Sequence, residues 1–139
     1  MIVLDTDVVS ALMRAEPEQR VVEWLDYQPR ASIWITAITV MEIQLGVRMM
    51  SPGRRQAALT KSFQELVEQR IEQRVAPFDM VAAEKAAALM SSRRLRGQPV
   101  DVKDTMIAGI AEALGATLAT RNVPHFADLT VAVVNPWES

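Results

Sequence analysis

Five short segments of the chain are apolar and rich in β-branched residues, a pattern that is typical of buried strands. They cover residues 1–5, 32–36, 74–78, 116–120 and 129–134. The first is the clearest, because the apolar run from Met1 to Leu4 meets Asp5 at its end. Strands that are apolar throughout, without alternation, are typical of parallel sheets that are covered on both faces.

Between these segments, apolar residues recur at spacings of three and four, which predicts amphipathic helices. The predicted helices are 8–14 with Asp7 as N-cap, one beginning near Pro17, one from a Thr39 cap to about Met50, a long one through Leu59 and Ile71, 80–95, and 102–114 between an Asp101 cap and Gly115. Alternating strands and helices predict an α/β fold with three layers, α/β/α, around a central and mainly parallel sheet of four to five strands. No linker or repeat divides the sequence, so we expect a single domain over 1–139.

Composition excludes several classes of site. The 139 residues contain no cysteine and one histidine, His125, which excludes disulfides, thiolate chemistry and a zinc site built from several histidines. The longest uncharged stretch after the start, 31–41, is shorter than the roughly 20 residues of a membrane span. With no basic signal-peptide start, we expect a cytoplasmic protein with no membrane contact. The net charge of −2 argues against a strongly basic nucleic-acid-binding protein but leaves room for local patches.

Acidic residues stand where a parallel sheet would place its ligand site, at the carboxyl ends of the strands. Asp5 ends the first predicted strand, and Glu42 and Asp104 lie in the first turns of two helices. Glu42 and Asp104 also have a structural interpretation, since Thr39-x-x-Glu42 matches a capping box and Asp101-x-x-Asp104 resembles one. Asp5 is harder to explain in that way, because a buried carboxylate without a partner is costly.

Four segments, taken in order, resemble the PIN-domain nucleases and, more narrowly, the VapC and FitB-type toxins of bacterial toxin–antitoxin pairs. The segments are IVLDTDVVSAL, ITAITVMEIQLG, DTMIAGIA and LATRNVPHF. The resemblance implies an endoribonuclease that hydrolyses RNA phosphodiester bonds with Mg²⁺ or Mn²⁺. It implies that Asp5, Glu42 and Asp104 are catalytic metal ligands and that Asn122 is a fourth catalytic position. A cognate antitoxin that blocks the crevice, and a homodimer, are also implied.

Two positions depart from the family pattern. Asp7 stands where asparagine is common, and Asn122 is an amide where some members carry an acid, so Asp128 is an alternative fourth position. Thr6 and Thr120 could orient the ligands by hydrogen bonding. Candidates for contacts with RNA phosphates are Arg121 and the basic runs 53–55 and 93–96.

Two other functions are consistent with part of the sequence. The opening D-x-D also fits a haloacid-dehalogenase-type phosphatase, with Asp5 as nucleophile and Asp7 as general acid. That class needs a Gly-Asp-containing acidic motif, which the stretch around Asp104 lacks, and it leaves Glu42 without a role. A PIN-like interaction module without catalysis is the third possibility, against which the three intact acids argue. We expect a surface or packing role for His125.

Overall fold

Five parallel strands form the central sheet of the computed structural model, which describes residues 1–138. They are β1 (Ile2–Leu4), β2 (Ile33–Thr36), β3 (Val75–Ala76), β4 (Thr117–Ala119) and β5 (Val133–Val134), in the spatial order β3-β2-β1-β4-β5. Central β1 aligns Val3 with Trp34 on one side and with Leu118 on the other. The predicted parallel α/β fold is confirmed, with all five strands parallel.

The last strand is shorter than predicted. Only the end of 129–134 pairs with β4, because the backbone N–H groups of Thr130 and Val131 bind the Glu112 carboxylate instead of a strand.

Six α-helices connect the strands. They are α1 (Thr6–Met13), α2 (Gln19–Tyr27), α3 (Ala37–Arg48), α4 (Arg54–Glu65), α5 (Met80–Leu95) and α6 (Val102–Leu114). A π-helical turn, Leu66–Arg70, continues α4, so the long helix predicted through Ile71 is present but ends irregularly. The bounds predicted for α5 and α6 are confirmed, and Gly115 ends α6 with the positive φ of 61° that glycine favours.

Two of the predicted N-caps are wrong. Asp5, not Asp7, caps α1: the Asp5 carboxylate accepts the N–H of Thr6, and its backbone carbonyl accepts the N–H of Val8 at 3.1 Å. The cap of α3 is Thr36 rather than Thr39. Both helices therefore begin directly at the end of the preceding strand, and the residues predicted as caps lie inside the first helical turn.

Hydrophobic cores lie on both faces of the sheet, as a three-layer fold requires. Leu4 belongs to the core with α1, α2 and α4, whereas its neighbour Val3 belongs to the core with α5 and α6. Trp24 packs against the first of these cores and Trp34 against the second. Gly109 lets α5 and α6 approach closely, since a Cβ there would lie 2.6 Å from the Ala82 carbonyl oxygen. Within residues 1–138, no helix is both long and apolar enough to cross a membrane.

Candidate active site

Asp5 lies at the carboxyl end of β1 and is almost completely buried, with 6% of its surface exposed. Its two carboxylate oxygens accept hydrogen bonds from the Thr6 N–H at 2.9 Å and from the Thr120 hydroxyl at 2.8 Å. Burial, followed by the charge of Asp7, raises the pKa of Asp5 to about 7. The carboxylate therefore takes up its proton near neutral pH, far above the ordinary range for aspartate.

Asp7 is a member of the same cluster. Its Oδ2 accepts the backbone N–H of Arg121 at 3.0 Å and lies 3.5 Å from the Thr120 hydroxyl, which thus lies between the two carboxylates. The pKa of Asp7 is also raised, mainly by burial. Its other oxygen, Oδ1, is buried and has no hydrogen-bond partner within residues 1–138, so this carboxylate has capacity for a further ligand.

Thr6 connects Asp5 to Glu42. Its hydroxyl lies 2.9 Å from Glu42 Oε1 and 2.9 Å from the Thr39 hydroxyl, while its N–H binds Asp5. Because α1 and α3 both begin at this edge of the sheet, a single side chain can join them. Glu42 makes none of the hydrogen bonds of a capping box with Thr39 within the described residues.

Asp104 faces the same cluster from the first turn of α6. Burial and the neighbouring Asp101 raise its pKa, and the charges of Glu42 and Asp7 raise it further, while His125 lowers it. The Asp104 charge in turn contributes to the raised pKa of Asp5. His125 Nε2 lies 3.6 Å from Asp104 Oδ2, beyond hydrogen-bond distance. Four acids from three helix starts therefore interact through space at one edge of the sheet.

The two alternatives for the fourth position have different surroundings. Asn122 is exposed, and its backbone N–H binds the Thr120 hydroxyl at 3.1 Å, which places it next to Asp5. The carboxylate of Asp128 is occupied, because both of its oxygens accept hydrogen bonds from Arg93 at 2.8 Å and one also accepts from Arg96. Asp128 thus has a structural partner that Asn122 lacks.

In the basic run 93–96, a candidate for contacts with RNA phosphates, Arg94 and Arg96 are exposed but Arg93 is not. Arg93 is buried, with 2% of its surface exposed, and its remaining donors bind the Thr105 hydroxyl and the His125 carbonyl. It therefore cannot contact a substrate phosphate. Arg54 and Arg55 of the run 53–55 are exposed, in agreement with a surface role.

The donor chemistry of the acidic cluster fits Mg²⁺ or Mn²⁺, since the available ligand atoms are carboxylate oxygens. A cation would relieve the repulsion that, after burial, raises the pKa values of Asp5 and Asp104, and it would satisfy the unpaired Asp7 oxygen. The ligand geometry is not preformed, because no three acidic or histidine side chains within residues 1–138 are already arranged to hold a metal ion.

A groove opens beside the acidic cluster. It has a volume of about 350 Å³ and runs between α1, α3 and α4, with Thr6 and Glu42 at one end and Met50 and Arg55 among its other lining residues. Glu42 is therefore the member of the acidic cluster that this groove reaches.

The chain is similar to known proteins over nearly its whole length. A family model described as "PIN domain" matches residues 2–129. The chain is 37% identical to the plasmid stability protein StbB of Pseudomonas syringae pv. tomato over the full length of both. It is 36% identical to the VapC ribonuclease Y4jK of Sinorhizobium fredii and 35% identical to the toxin FitB of Neisseria gonorrhoeae, in both cases over 99% of each chain.

Among solved structures, that of FitAB bound to an IR36 DNA fragment superposes with a TM-score of 0.88 at 35% identity. The match covers 99% of this chain and 96% of the other. The similarity in fold therefore extends over the strands and helix starts that carry the acids.

Proposed function

Because the chain belongs to the PIN domain family, we propose that it is a metal-dependent endoribonuclease and the toxin of a type II toxin–antitoxin module. The observation that carries this proposal is the cluster of Asp5, Asp7, Glu42 and Asp104, in which one buried and three partly buried acids face one another, with no ion pair to arginine or lysine within residues 1–138. The pKa values of Asp5, Asp7 and Asp104 are raised, and clustered acids with raised pKa values are typical of functional sites. Two relatives are named a VapC ribonuclease and a toxin, in line with the proposal.

We further propose that Asp5, Glu42 and Asp104 hold Mg²⁺ or Mn²⁺, with Asp7 as an additional oxygen donor that family resemblance did not suggest. Such a metal supplies a water of lowered pKa and stabilises negative charge on the phosphate. Thr6 and Thr120 hold the acids in place through their hydroxyl groups. Asn122 can orient a water or a phosphate oxygen from the same edge.

The geometry does not favour the phosphatase alternative. In that mechanism Asp7 would donate a proton to the leaving group and Glu42 would have no role. Here Asp7 is fixed by the Arg121 N–H, and Glu42 is joined to Asp5 through Thr6.

The partners that we propose are an RNA substrate, an antitoxin and a second copy of the chain, with a single PIN-like domain over 1–139 acting in the cytoplasm. The structure of FitAB on DNA contains a relative of this chain in a complex. We propose that the antitoxin covers the groove beside Glu42 and so blocks access to the acids. Light scattering of the purified chain, with and without a co-expressed antitoxin, tests the dimer and the complex.

The nuclease proposal is tested by cleavage of total cellular RNA by the purified chain in MgCl₂ or MnCl₂. We expect Asp5→Asn, Glu42→Gln and Asp104→Asn each to lower the rate by at least about 100-fold, the loss typical of a removed transition-state contact. The control is Glu84→Gln, which removes an exposed acid from α5. EDTA should abolish cleavage and excess Mn²⁺ should restore it. Cleavage at the wild-type rate by the three variants would overturn the assignment.

A further inference from the structure

Arg121 stands at the acidic edge without an acidic partner at ion-pair distance. Its side chain is exposed, and its guanidinium carbon lies 5.0 Å from the centre of the Trp137 ring. Within residues 1–138 it forms no salt bridge, although its charge reaches Asp7. An arginine that served only to neutralise the cluster would gain more from a direct bond to a carboxylate. Here the guanidinium is stacked on an indole face and retains its N–H donors for another ligand.

The backbone of Arg121 is tied to the candidate active site. Its N–H donates to Asp7 Oδ2 at 3.0 Å, and its carbonyl accepts from Asn135 Nδ2 at 3.4 Å. The backbone from which the Arg121 side chain extends is therefore held next to the acids at two atoms.

Trp137 is itself held in place. Its backbone N–H donates to Asn135 Oδ1 at 2.9 Å, its backbone carbonyl accepts from Arg20, and its side chain packs against the core that includes Leu4. Stacking on a fixed aromatic ring restrains the long arginine side chain before a ligand arrives, which lowers the entropy lost on binding. The pair is thus a preorganised cation beside a cluster of acids.

We propose that Arg121, whose guanidinium is stacked on Trp137, binds a phosphate of the RNA substrate. This phosphate is the neighbour, along the same strand, of the phosphate at which the strand is cleaved. This inference rests on the proposed nuclease function. A cluster of four acids repels a polyanion, so binding of an RNA strand at this edge needs a positive contact beside the cluster. The planar guanidinium matches two phosphate oxygens, whereas a lysine at this position would give a point charge without the stacked geometry. Trp137 is a positioning residue and does not itself contact the substrate.

The test is direct binding of a fluorescein-labelled, 20-nucleotide single-stranded RNA of random sequence in EDTA, followed by fluorescence polarisation at several KCl concentrations. We expect Arg121→Gln to weaken binding about tenfold and to lower the slope of log K against log[KCl] by about 0.7, the value for one lost phosphate contact with a single strand. Arg121→Lys should lower the affinity by an intermediate factor. The control is Lys85→Gln, which removes an exposed charge from α5 and should leave affinity unchanged.

Trp137 is tested with two variants, because Leu at this position removes core packing as well as the aromatic platform, by which we mean the indole face that the Arg121 guanidinium stacks on. We expect Trp137→Leu to weaken binding about as much as Arg121→Gln, and Trp137→Phe, which keeps an aromatic face, to restore most of the affinity. Circular dichroism of each variant establishes that the measured protein is folded. A structural role alone would change the melting temperature but not the affinity of the folded fraction.

The outcomes separate this inference from the nuclease proposal. Binding that depends on Arg121 in a chain that never cleaves RNA would support the phosphate contact and reject the proposed function. Cleavage by the wild type with unchanged affinity and salt slope in Arg121→Gln would overturn the phosphate contact alone. Equal affinity of Trp137→Leu and the wild type would overturn the platform role.

Discussion

Asp5 and Asp128 show how differently one chain can treat two partly or fully buried carboxylates. Asp128 is bound by two arginines, and hydrogen bonds from Arg93 are the main cause of its lowered pKa. Asp5 receives only an N–H and a hydroxyl, and burial with a neighbouring acid raises its pKa to about 7. The first arrangement stabilises the fold, while the second opposes it.

The difference indicates a division of roles. Arg121 lies near Asp7 but stacks on Trp137 instead of forming an ion pair. Buried Arg93, in contrast, forms hydrogen bonds with the Asp128 carboxylate. Asp128, which stabilises the fold, is paired with an arginine of the protein. The acids of the proposed active site have no such partner and are available to bind a metal ion from solution. Each prediction below changes one side of this contrast.

The largest effect on stability is expected from Arg93→Met, which removes the cation and keeps most of the apolar length. Loss of one partner from a buried ion pair leaves Asp128 without its bidentate partner and the Thr105 hydroxyl and His125 carbonyl without a donor. We expect the free energy of unfolding, measured by urea denaturation, to fall by about 3 kcal/mol.

The neighbouring exposed residue supplies the control for that experiment. Arg94→Met changes the same chemical groups on the surface of α5 and should alter stability by less than about 0.5 kcal/mol. Equal losses of stability from the two substitutions would mean that the Arg93–Asp128 pair adds nothing to the stability of the fold.

A gain in the free energy of unfolding, rather than a loss, is expected from Asp5→Asn. In EDTA the folded wild type binds more protons than the unfolded chain between the ordinary aspartate pKa of 3.8 and about 7, so its stability falls as the pH rises through that window. Asp5→Asn has no such titration. Its free energy of unfolding should exceed that of the wild type by about 2 kcal/mol at pH 8, with the difference shrinking toward pH 4.

Addition of MgCl₂ should then reverse the order at pH 8, because a ligand that binds only the folded wild type stabilises it. Glu84→Gln, an exposed acid with no role in the cluster, should show neither effect. A constant loss of stability in Asp5→Asn at every pH would mean that the carboxylate acts only as the cap of α1.

Much of the fold could be predicted because local signals and burial agree. The bounds of α5 and α6 follow from strong apolar periodicity together with Asp101 and Gly115, and the structure places them as predicted. The caps of α1 and α3 were misassigned because Asp7 and Thr39 are as suitable chemically as Asp5 and Thr36. Only the exact end of each strand distinguishes them, and that end is set by pairing across the sheet.

The candidate site was predictable in part. Asp5, Glu42 and Asp104 were singled out by their positions at strand and helix ends, and the structure brings their charges within reach of one another. Asp7 was missed because its spacing fits a helix cap. Burial of Arg93 is a tertiary result, since a basic run gives no sign that one member faces inward toward an acid 35 residues later.

A smaller effect is expected from Asp128→Asn. The pair with Arg93 stabilises the fold fully above the unfolded pKa of about 3.8, and that contribution is lost as the pH falls through the lowered folded pKa. We therefore expect the variant to be about 1 kcal/mol less stable than the wild type at pH 6, with the difference shrinking as the pH falls below 3.8. Asp26→Asn, which removes an exposed partner of Arg70, should cost less than about 0.5 kcal/mol. If the two variants lose equal stability at pH 6, the Asp128 pair is no stronger than a surface pair.

The smallest change is expected at Asn122, where an acid can be added to the cluster. Its backbone binds the same Thr120 hydroxyl that holds Asp5, and its exposed side chain has no hydrogen-bond partner within the described residues. A carboxylate there adds roughly 1 kcal/mol of attraction for a divalent cation about 8 Å away in water. Calorimetric titration should therefore show about fivefold tighter Mg²⁺ binding for Asn122→Asp.

We also expect Asn122→Ala to lower RNA cleavage more than Asp128→Asn does, because Asp128 is already bound to arginine. Loss of cleavage in Asp128→Asn with normal cleavage in Asn122→Ala would transfer the fourth position to Asp128.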